Sequence, residues 1–266
     1  MKVSRILLKN GDDSFATPLD GNAGEMELLH GDPYSGLKRS GIFSKGHTLL
    51  APIIPSAILC IGLNYRKHAE EMGARVPMFP ILFLKNPSAL QNPEGPVVIP
   101  RKLASHQVDF EGELAIVIGK TCLNATRENA LEHVFGYTVA NDISARDWQR
   151  DWGGSQWCRG KSFDTFAPMG PWIVTPDEIP DPNALRITTR VNGEVLQDSN
   201  TADMIFDVPA LIEFLSADTT LQKGTVILTG TPSGVGVGRI PQRWLQQGDR
   251  IEVEIENIGI LSNPVT

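Results

Sequence analysis

Two glutamates one residue apart, Glu111 and Glu113, stand at the head of the stretch Asp109-Phe110-Glu111-Gly112-Glu113-Leu114-Ala115-Ile116-Val117-Ile118-Gly119-Lys120. The second half is a short, β-branched apolar run ended by glycine, the pattern of a buried strand. Strand side chains alternate faces, so the two carboxylates point the same way where the strand enters the core. Like charges side by side repel and resist burial unless something compensates. A hard divalent cation does this well, because carboxylate oxygens are preferred ligands of Mg²⁺, Ca²⁺ and Mn²⁺. An E-x-E spacing alone also fits a solvated pair at a strand edge, which is the commoner arrangement.

Other residues could supply chemistry beside such a cation. His68 and Glu71 are three apart in a segment with the composition of two helical turns, so they share a face. A carboxylate that orients and supports an imidazolium suits general-base work, although a solvated surface pair fits the same spacing. Asp142 follows a strand candidate and can be a third carboxylate, or a turn or cap aspartate. Ser144 could open a short helix that places Arg146 and Gln149 near it. Arg146 offers a planar fork for a carboxylate, or a surface ion pair. Lys161 lies in the Gly- and aromatic-rich segment Gly160–Phe166, where it could stabilise developing enolate charge or snorkel to solvent. Gly230-Thr231-Pro232-Ser233-Gly234-Val235-Gly236 is a glycine-rich turn able to bring backbone amides and Thr231 close to a ligand anion, or simply a structural turn. It lacks the GK[ST] of a phosphate-binding loop, which excludes that mode of nucleotide binding.

The elements that must position these groups are mostly strands. Val3–Leu8, Ala57–Gly62, Ile81–Lys85, Phe135–Ala140, Pro171–Thr175, Leu185–Val191, Thr225–Thr229 and Arg250–Glu256 have strand patterns. Asn192-Gly193 marks a hairpin joining the strand that ends at Val191 to Glu194–Gln197. Ala125–Val134, with Thr126 and Asn129 as a cap pair, and Val208–Ser216, with Pro209 in its first turn, read as helices. Asn10–Asp13 and Gly21-Asn22-Ala23-Gly24 are turn-rich. Residues 1–50 form a small N-terminal region, and the closely spaced prolines after Ala51 lead into the main domain, residues 51–266. Many strands, few helices and frequent Gly/Pro turns predict a mainly β (α+β) architecture rather than a Rossmann or barrel fold.

The 266 residues, 41% hydrophobic and 21% charged, suit one sizeable domain with a small appendage and exclude a disordered chain. The net charge of −7, without a Lys/Arg block, argues against nucleic acid as a partner. An anionic substrate must therefore be drawn by local cations or a metal. Cys60, Cys122 and Cys158 are too scattered for a disulfide framework or a zinc site. No apolar stretch is long enough to span a bilayer, and the start lacks the pattern of a signal peptide. The expectation is a cytoplasmic protein with no membrane partner.

The strings GLNYRKHAEEM, DFEGELAIVIGK, NDISARDWQ, RGKSFDTFAPMGPW, RVNGEVLQ and LTGTPSGVG together resemble the fumarylacetoacetate hydrolase family. They run in the family's order over about Ile58–Glu256, and are more similar to its shorter domain-containing members than to the longer fumarylacetoacetases. The resemblance implies a β-roll catalytic domain of that family's C-terminal type, usually paired as a homodimer. It implies Mg²⁺ or Mn²⁺, with Ca²⁺ also suited, held by Glu111, Glu113 and Asp142. His68 and Glu71 match a catalytic dyad on a lid, and Lys161 matches a residue beside the developing enolate. Arg146, Gln149 and Thr231 match substrate-binding positions. The substrate class would be a small 2-oxo acid. The expected reaction is hydrolytic C–C cleavage of an acylpyruvate-type 2,4-dioxo acid to a pyruvate-like product and a carboxylic acid, with His68 taking a proton from water. Oxaloacetate decarboxylation, isomerisation of a 2-hydroxy-diene-dioate or related tautomerisation, and non-catalytic binding of a 2-oxo acid are the alternatives.

Overall fold

Residues 1–19 and 24–266 are described by the computed structural model, so the turn expected at Gly21–Gly24 lies, but for its last residue, outside the described residues. The chain opens with β1 (Lys2–Leu7), β2 (Asp13–Pro18), β3 (Glu25–Asp32), β4 (Gly36–Lys45) and β5 (Thr48–Leu50). Then follow β6 (Ala57–Gly62), helix α1 (Arg66–Glu71), β7 (Ile81–Lys85), β8 (Leu90–Gln91), β9 (Val108–Asp109) and β10 (Gly112–Ile118). The middle of the chain supplies β11 (Val134–Asn141), β12 (Ser144–Ala145), a π-helical turn at Asp147–Asp151, helix α2 (Cys158–Lys161) and β13 (Ala167–Val174). The last third holds β14 (Arg186–Val191), β15 (Glu194–Asn200), helix α3 (Val208–Ser216), β16 (Thr225–Leu228), β17 (Arg250–Ile255) and β18 (Gly259–Pro264).

A twelve-stranded sheet runs β4-β3-β2-β1-β13-β11-β10-β16-β6-β7, with β5 and β8 attached to β1 and β13. A four-stranded antiparallel sheet, β15-β14-β17-β18, lies apart from it in pairing. The expected mainly β fold with few short helices, of the fumarylacetoacetate hydrolase β-roll type, is what forms. Within the N-terminal strands Ile6, Ala16 and Met26 make a small apolar cluster of their own, while Lys2 and Val3 pair with Val174 and Ile173.

β10 is buried along its whole length between β11 and β16, which explains its unbroken apolar run. On the face opposite the glutamates, Gly112 meets the second sheet. A Cβ there would lie 2.2 Å from Thr189 Oγ1 and 2.9 Å from Val253 Cγ1. The residue between the carboxylates is glycine because the two sheets approach too closely for any side chain.

Ala57–Gly62, Ile81–Lys85 and Val208–Ser216 form as predicted. Asn192 and Gly193 turn with φ of 54° and 81°, the left-handed pair that a tight hairpin needs. Asp207 caps α3 by accepting from Ala210 N. Two expectations fail. Ala125–Val134 yields only a single 3₁₀ turn, Ala130–His133, because its backbone is drawn outward: Asn124 N donates to Ser216 O and Ala125 N to Ser216 Oγ. Asn129 Oδ1 still accepts from Thr126 N, so half of the predicted cap exists without the helix. Ser144 opens no helix. It pairs with Asp109 in the short β12–β9 ladder, and the helical turn starts three residues later in the π form.

Candidate functional site

The two carboxylates converge where β9, β10 and β11 end. Glu111 precedes β10, and its backbone is clamped to the end of β11: its N–H donates to Asn141 Oδ1 (2.9 Å) and its carbonyl accepts from Asp142 N (2.8 Å). Glu111, Glu113 and Asp142 are buried, and an oxygen from each lies within 4.8 Å of one from the others.

Three buried cations answer them. Lys161 Nζ, on α2, lies 2.6 Å from Glu111 Oε2 and 2.8 Å from Asp142 Oδ2. Lys85 Nζ, at the end of β7, donates to Asp142 Oδ1 (2.6 Å) and Ile143 O (3.1 Å). Arg146 Nη1 lies 2.6 Å from Glu111 Oε1 and donates to Gln149 Oε1 (3.0 Å). Its Nε donates to Asp109 Oδ2 (2.8 Å), while Nη2 approaches the same oxygen at 2.7 Å without hydrogen-bond alignment.

The glycine-rich turn after β16 closes the other side, with an outcome the sequence did not suggest. Its amides bind the protein's own carboxylates rather than standing free for a ligand. Gly230 N donates to Glu113 Oε2 (2.7 Å) and Gly234 N to Glu71 Oε1 (2.9 Å). Gly236 N and Val237 N donate to Asp109 Oδ1 and Oδ2 (2.7 and 3.1 Å). Consecutive amides in such a turn form a concavity of positive potential, and here it orients three acidic side chains. Thr231 is likewise engaged: its hydroxyl donates to Gly112 O (3.0 Å) and accepts from Gln197 Nε2 (2.8 Å).

The electrostatics single out Glu113. Burial would push Glu111 up, but the charges of Arg146 and Lys161 and the hydrogen bond from Lys161 hold it well below the usual carboxylate range. Burial would lower Lys161, and Asp142 and Glu111 outweigh that and raise it. Glu113 is pushed well up, first by burial and then by repulsion from Asp142 and Glu111. Among the described residues it makes no ion pair; the Gly230 amide is its hydrogen-bond donor. Four buried carboxylates, Asp109 included, thus face three buried cations. Three convergent oxygen donors, one of them without a cationic partner, fit a divalent cation. Each carboxylate oxygen keeps a lone pair after its hydrogen bond.

His68 Nδ1 lies 3.0 Å from Glu71 Oε2 on α1. A carboxylate that receives the Gly234 amide only accepts, so the ring proton is assigned to Nδ1 and Nε2 keeps the free lone pair. A cavity of about 330 Å³ opens onto seven of the nine sequence candidates, His68, Glu111, Glu113, Arg146, Gln149, Lys161 and Thr231. Glu71 and Asp142 stand behind them. Apolar walls come from Ile61, Leu63, Phe83 and Trp157.

Sequence reasoning missed Lys85, Asp109 and Asn64. Lys85 carried a signal, as a charge ending an apolar strand run. Asp109 stands two residues before Glu111, within the same stretch. Asn64 is buried, donates to Phe206 O (3.0 Å) and Thr229 O (2.7 Å), accepts from Phe206 N (2.8 Å), and so fixes the entry to α1. Nothing in an isolated asparagine announces that.

The family profile for the fumarylacetoacetate (FAA) hydrolase C-terminal region matches residues 57–266. Oxaloacetate tautomerase fahd2, mitochondrial, of Xenopus laevis is 50% identical over 230 residues, 86% of this chain and 70% of that protein. Human oxaloacetate tautomerase FAHD2A, mitochondrial, is 48% identical over 219 residues, 82% of this chain and 69% of that protein. The crystal structure of 5-carboxymethyl-2-hydroxymuconate delta-isomerase from Mycobacterium smegmatis superposes with a TM-score of 0.88 at 38% identity, over 100% of this chain and 99% of that one.

These relatives overturn two expectations. Named tautomerases and an isomerase stand where a C–C-cleaving hydrolase was expected. The physical reason is that one base beside one carboxylate cluster can serve to take a proton from carbon or from water, so the residues alone do not separate the reactions. The cytoplasmic expectation falls as well, since the two tautomerases are named as mitochondrial and cysteine usage carries no address of that kind. Among the described residues no helix is long and apolar enough to cross a membrane. With the profile spanning β6 to the last residue and relatives at half identity, this chain belongs to the fumarylacetoacetate hydrolase family.

Proposed function

We propose that this protein is a divalent-metal-dependent tautomerase of a small 2-oxo dicarboxylic acid of the oxaloacetate type, interconverting its keto and enol forms. The observation that carries the reading is the His68–Glu71 pair standing over the same cavity as the Glu111, Glu113 and Asp142 cluster. The tautomerase names of its relatives support it.

Glu111, Glu113 and Asp142 would hold the cation, with Mg²⁺ and Mn²⁺ both suited to the donor set. When bound, it supplies Lewis acidity that stabilises negative charge developing on the substrate's 2-oxo group. His68 Nε2 takes a proton from the carbon next to the 2-oxo group, and Glu71 stabilises the imidazolium that forms. The same imidazolium returns a proton to oxygen. One C–H bond breaks and one O–H bond forms, and the reverse passage restores the keto acid. Lys161 and Lys85 hold Asp142, and Lys161 and Arg146 hold Glu111, so the cluster does not reorganise during the proton shift. Phe83, Trp157 and Ile61 limit water around the enolate. A 2-hydroxymuconate-type isomerisation is the same proton movement along a longer conjugated chain; the isomerase structure supports it as the second reading. Assembly as a homodimer is part of the proposal. Exposed Leu82 and Leu84 on the edge strand β7 offer a second copy an apolar surface, and sedimentation tests it.

The test is the decay of enol-oxaloacetate absorbance with Mg²⁺, Mn²⁺ and EDTA in parallel. His68→Ala is expected to lower kcat about 10²–10⁴-fold. Wild-type protein that leaves the enol decay unchanged, or releases pyruvate without changing the keto–enol ratio, would sink the proposal.

A further inference from the structure

Three cations line the cavity wall, Arg146, Lys161 and Arg150. The first two are committed. Lys161 spends its ammonium on Glu111 and Asp142, and Arg146 spends its guanidinium on Asp109, Glu111 and Gln149. Arg150 is the last residue but one of the π-helical turn, directly after Gln149, and its side chain is exposed. Among the described residues it donates no hydrogen bond and makes no ion pair. Partial burial and then repulsion from Arg146 work against its charge and outweigh the support of the Asp109, Glu111 and Asp151 carboxylates, so a further anion beside it would offset both.

A dicarboxylate carries a carboxylate at each end, and the cation that Glu111, Glu113 and Asp142 would hold answers the one at the reacting end. A second carboxylate at the far end of the substrate needs a cation of its own, and Arg150 is the uncommitted one on the wall. We infer that Arg150 pairs with the distal carboxylate of a 2-oxo dicarboxylate and selects diacids over 2-oxo monoacids. The inference takes the reacting end of the substrate from the tautomerase proposal, and its own content is the second carboxylate.

The experiment measures binding of unreactive analogues to the Mn²⁺-loaded protein by calorimetry. Malate carries both carboxylates and lactate only one. Arg150→Gln is expected to weaken malate about five- to tenfold and to bring the malate-to-lactate preference down by the same factor. Arg150→Lys should restore part of the preference. In turnover, the loss on enol-oxaloacetate should appear as a raised KM rather than a lowered kcat. Equal weakening of malate and lactate, or malate binding unchanged in Arg150→Gln, would overturn the inference. If wild type fails as a tautomerase yet Arg150→Gln still abolishes the preference for malate, the reaction proposal falls and this one stands.

Discussion

Arg146–Asp109 and Arg186–Asp198 have the same partners at the same 2.7 Å separation, and they do different work. The first lies at the junction of β9 and the π turn, with side chains 4% and 0% exposed. The second spans β14 and β15 on the outer sheet, with side chains 65% and 46% exposed. On the outer sheet water solvates either group if the other is lost, so the pair adds little. At the site, losing one partner strands a charge with no water to replace it. Asp109 also takes the Gly236 and Val237 amides, so it ties the glycine-rich turn to the arginine that holds Glu111. Burial, not distance, turns an ion pair into a structural joint.

The comparison is broken first by Asp109→Ala. It takes one of its two carboxylate partners from Arg146 and leaves three amides, of Phe110, Gly236 and Val237, without their acceptor, and should cost about 3–5 kcal/mol in urea unfolding, with much-reduced soluble yield as the extreme form of that result. A loss below ~1 kcal/mol would put the buried joint on a par with the surface pair.

Metal binding comes next, because it answers the same kind of deficit at Glu113. EDTA-treated protein should gain about 2.7 kcal/mol when Mg²⁺ or Mn²⁺ is added at a hundred times its Kd. Glu113→Gln should lose most of that gain, which thermal melting reads directly.

Gly112→Ala probes the packing behind the carboxylates. Its Cβ would meet Thr189 Oγ1, so about 1–3 kcal/mol of overpacking is expected, with weaker Mn²⁺ binding as β10 shifts. Calorimetric titration that finds metal affinity unchanged would show that the sheet contact and the cluster are uncoupled.

The smallest effect belongs to Asp198→Asn. The hydrogen bond from Arg186 holds the Asp198 carboxyl below its ordinary value. A depressed carboxyl contributes stability above its unfolded pKa and loses it as pH falls through the folded one. The variant should therefore lose a little stability at neutral pH and converge on wild type as pH falls through the carboxylate range, measured by melting temperature against pH.

Much of this was legible in the chain. Short-range patterns specified their elements: β6, β7 and α3 follow from local apolar runs, and Asn192-Gly193 turns because two adjacent residues accept left-handed backbone. The seven cavity-lining candidates stood out as residue types that could do chemistry, each beside a structural alternative, and the family resemblance set them around one site. Ala125–Val134 misled because helical composition there is outbid by distant partners, Ser216 above all. The choice between proton transfer and C–C cleavage was not legible either, since both use the same base and the same carboxylates.

By itself, then, the sequence determined the strand-rich architecture, because alternation and turn chemistry act over a few residues, and it offered Glu111, Glu113, Asp142 and the His68–Glu71 pair as candidates that the family resemblance gathered into one site. Only the tertiary structure decided which charges answer which. Lys85 reaches Asp142 across 57 positions, and the Gly236 amide reaches Asp109 across 127. Those pairings arise from strands brought together by the sheet. Burial then excludes water from them, and neither condition is written in any local stretch of the chain.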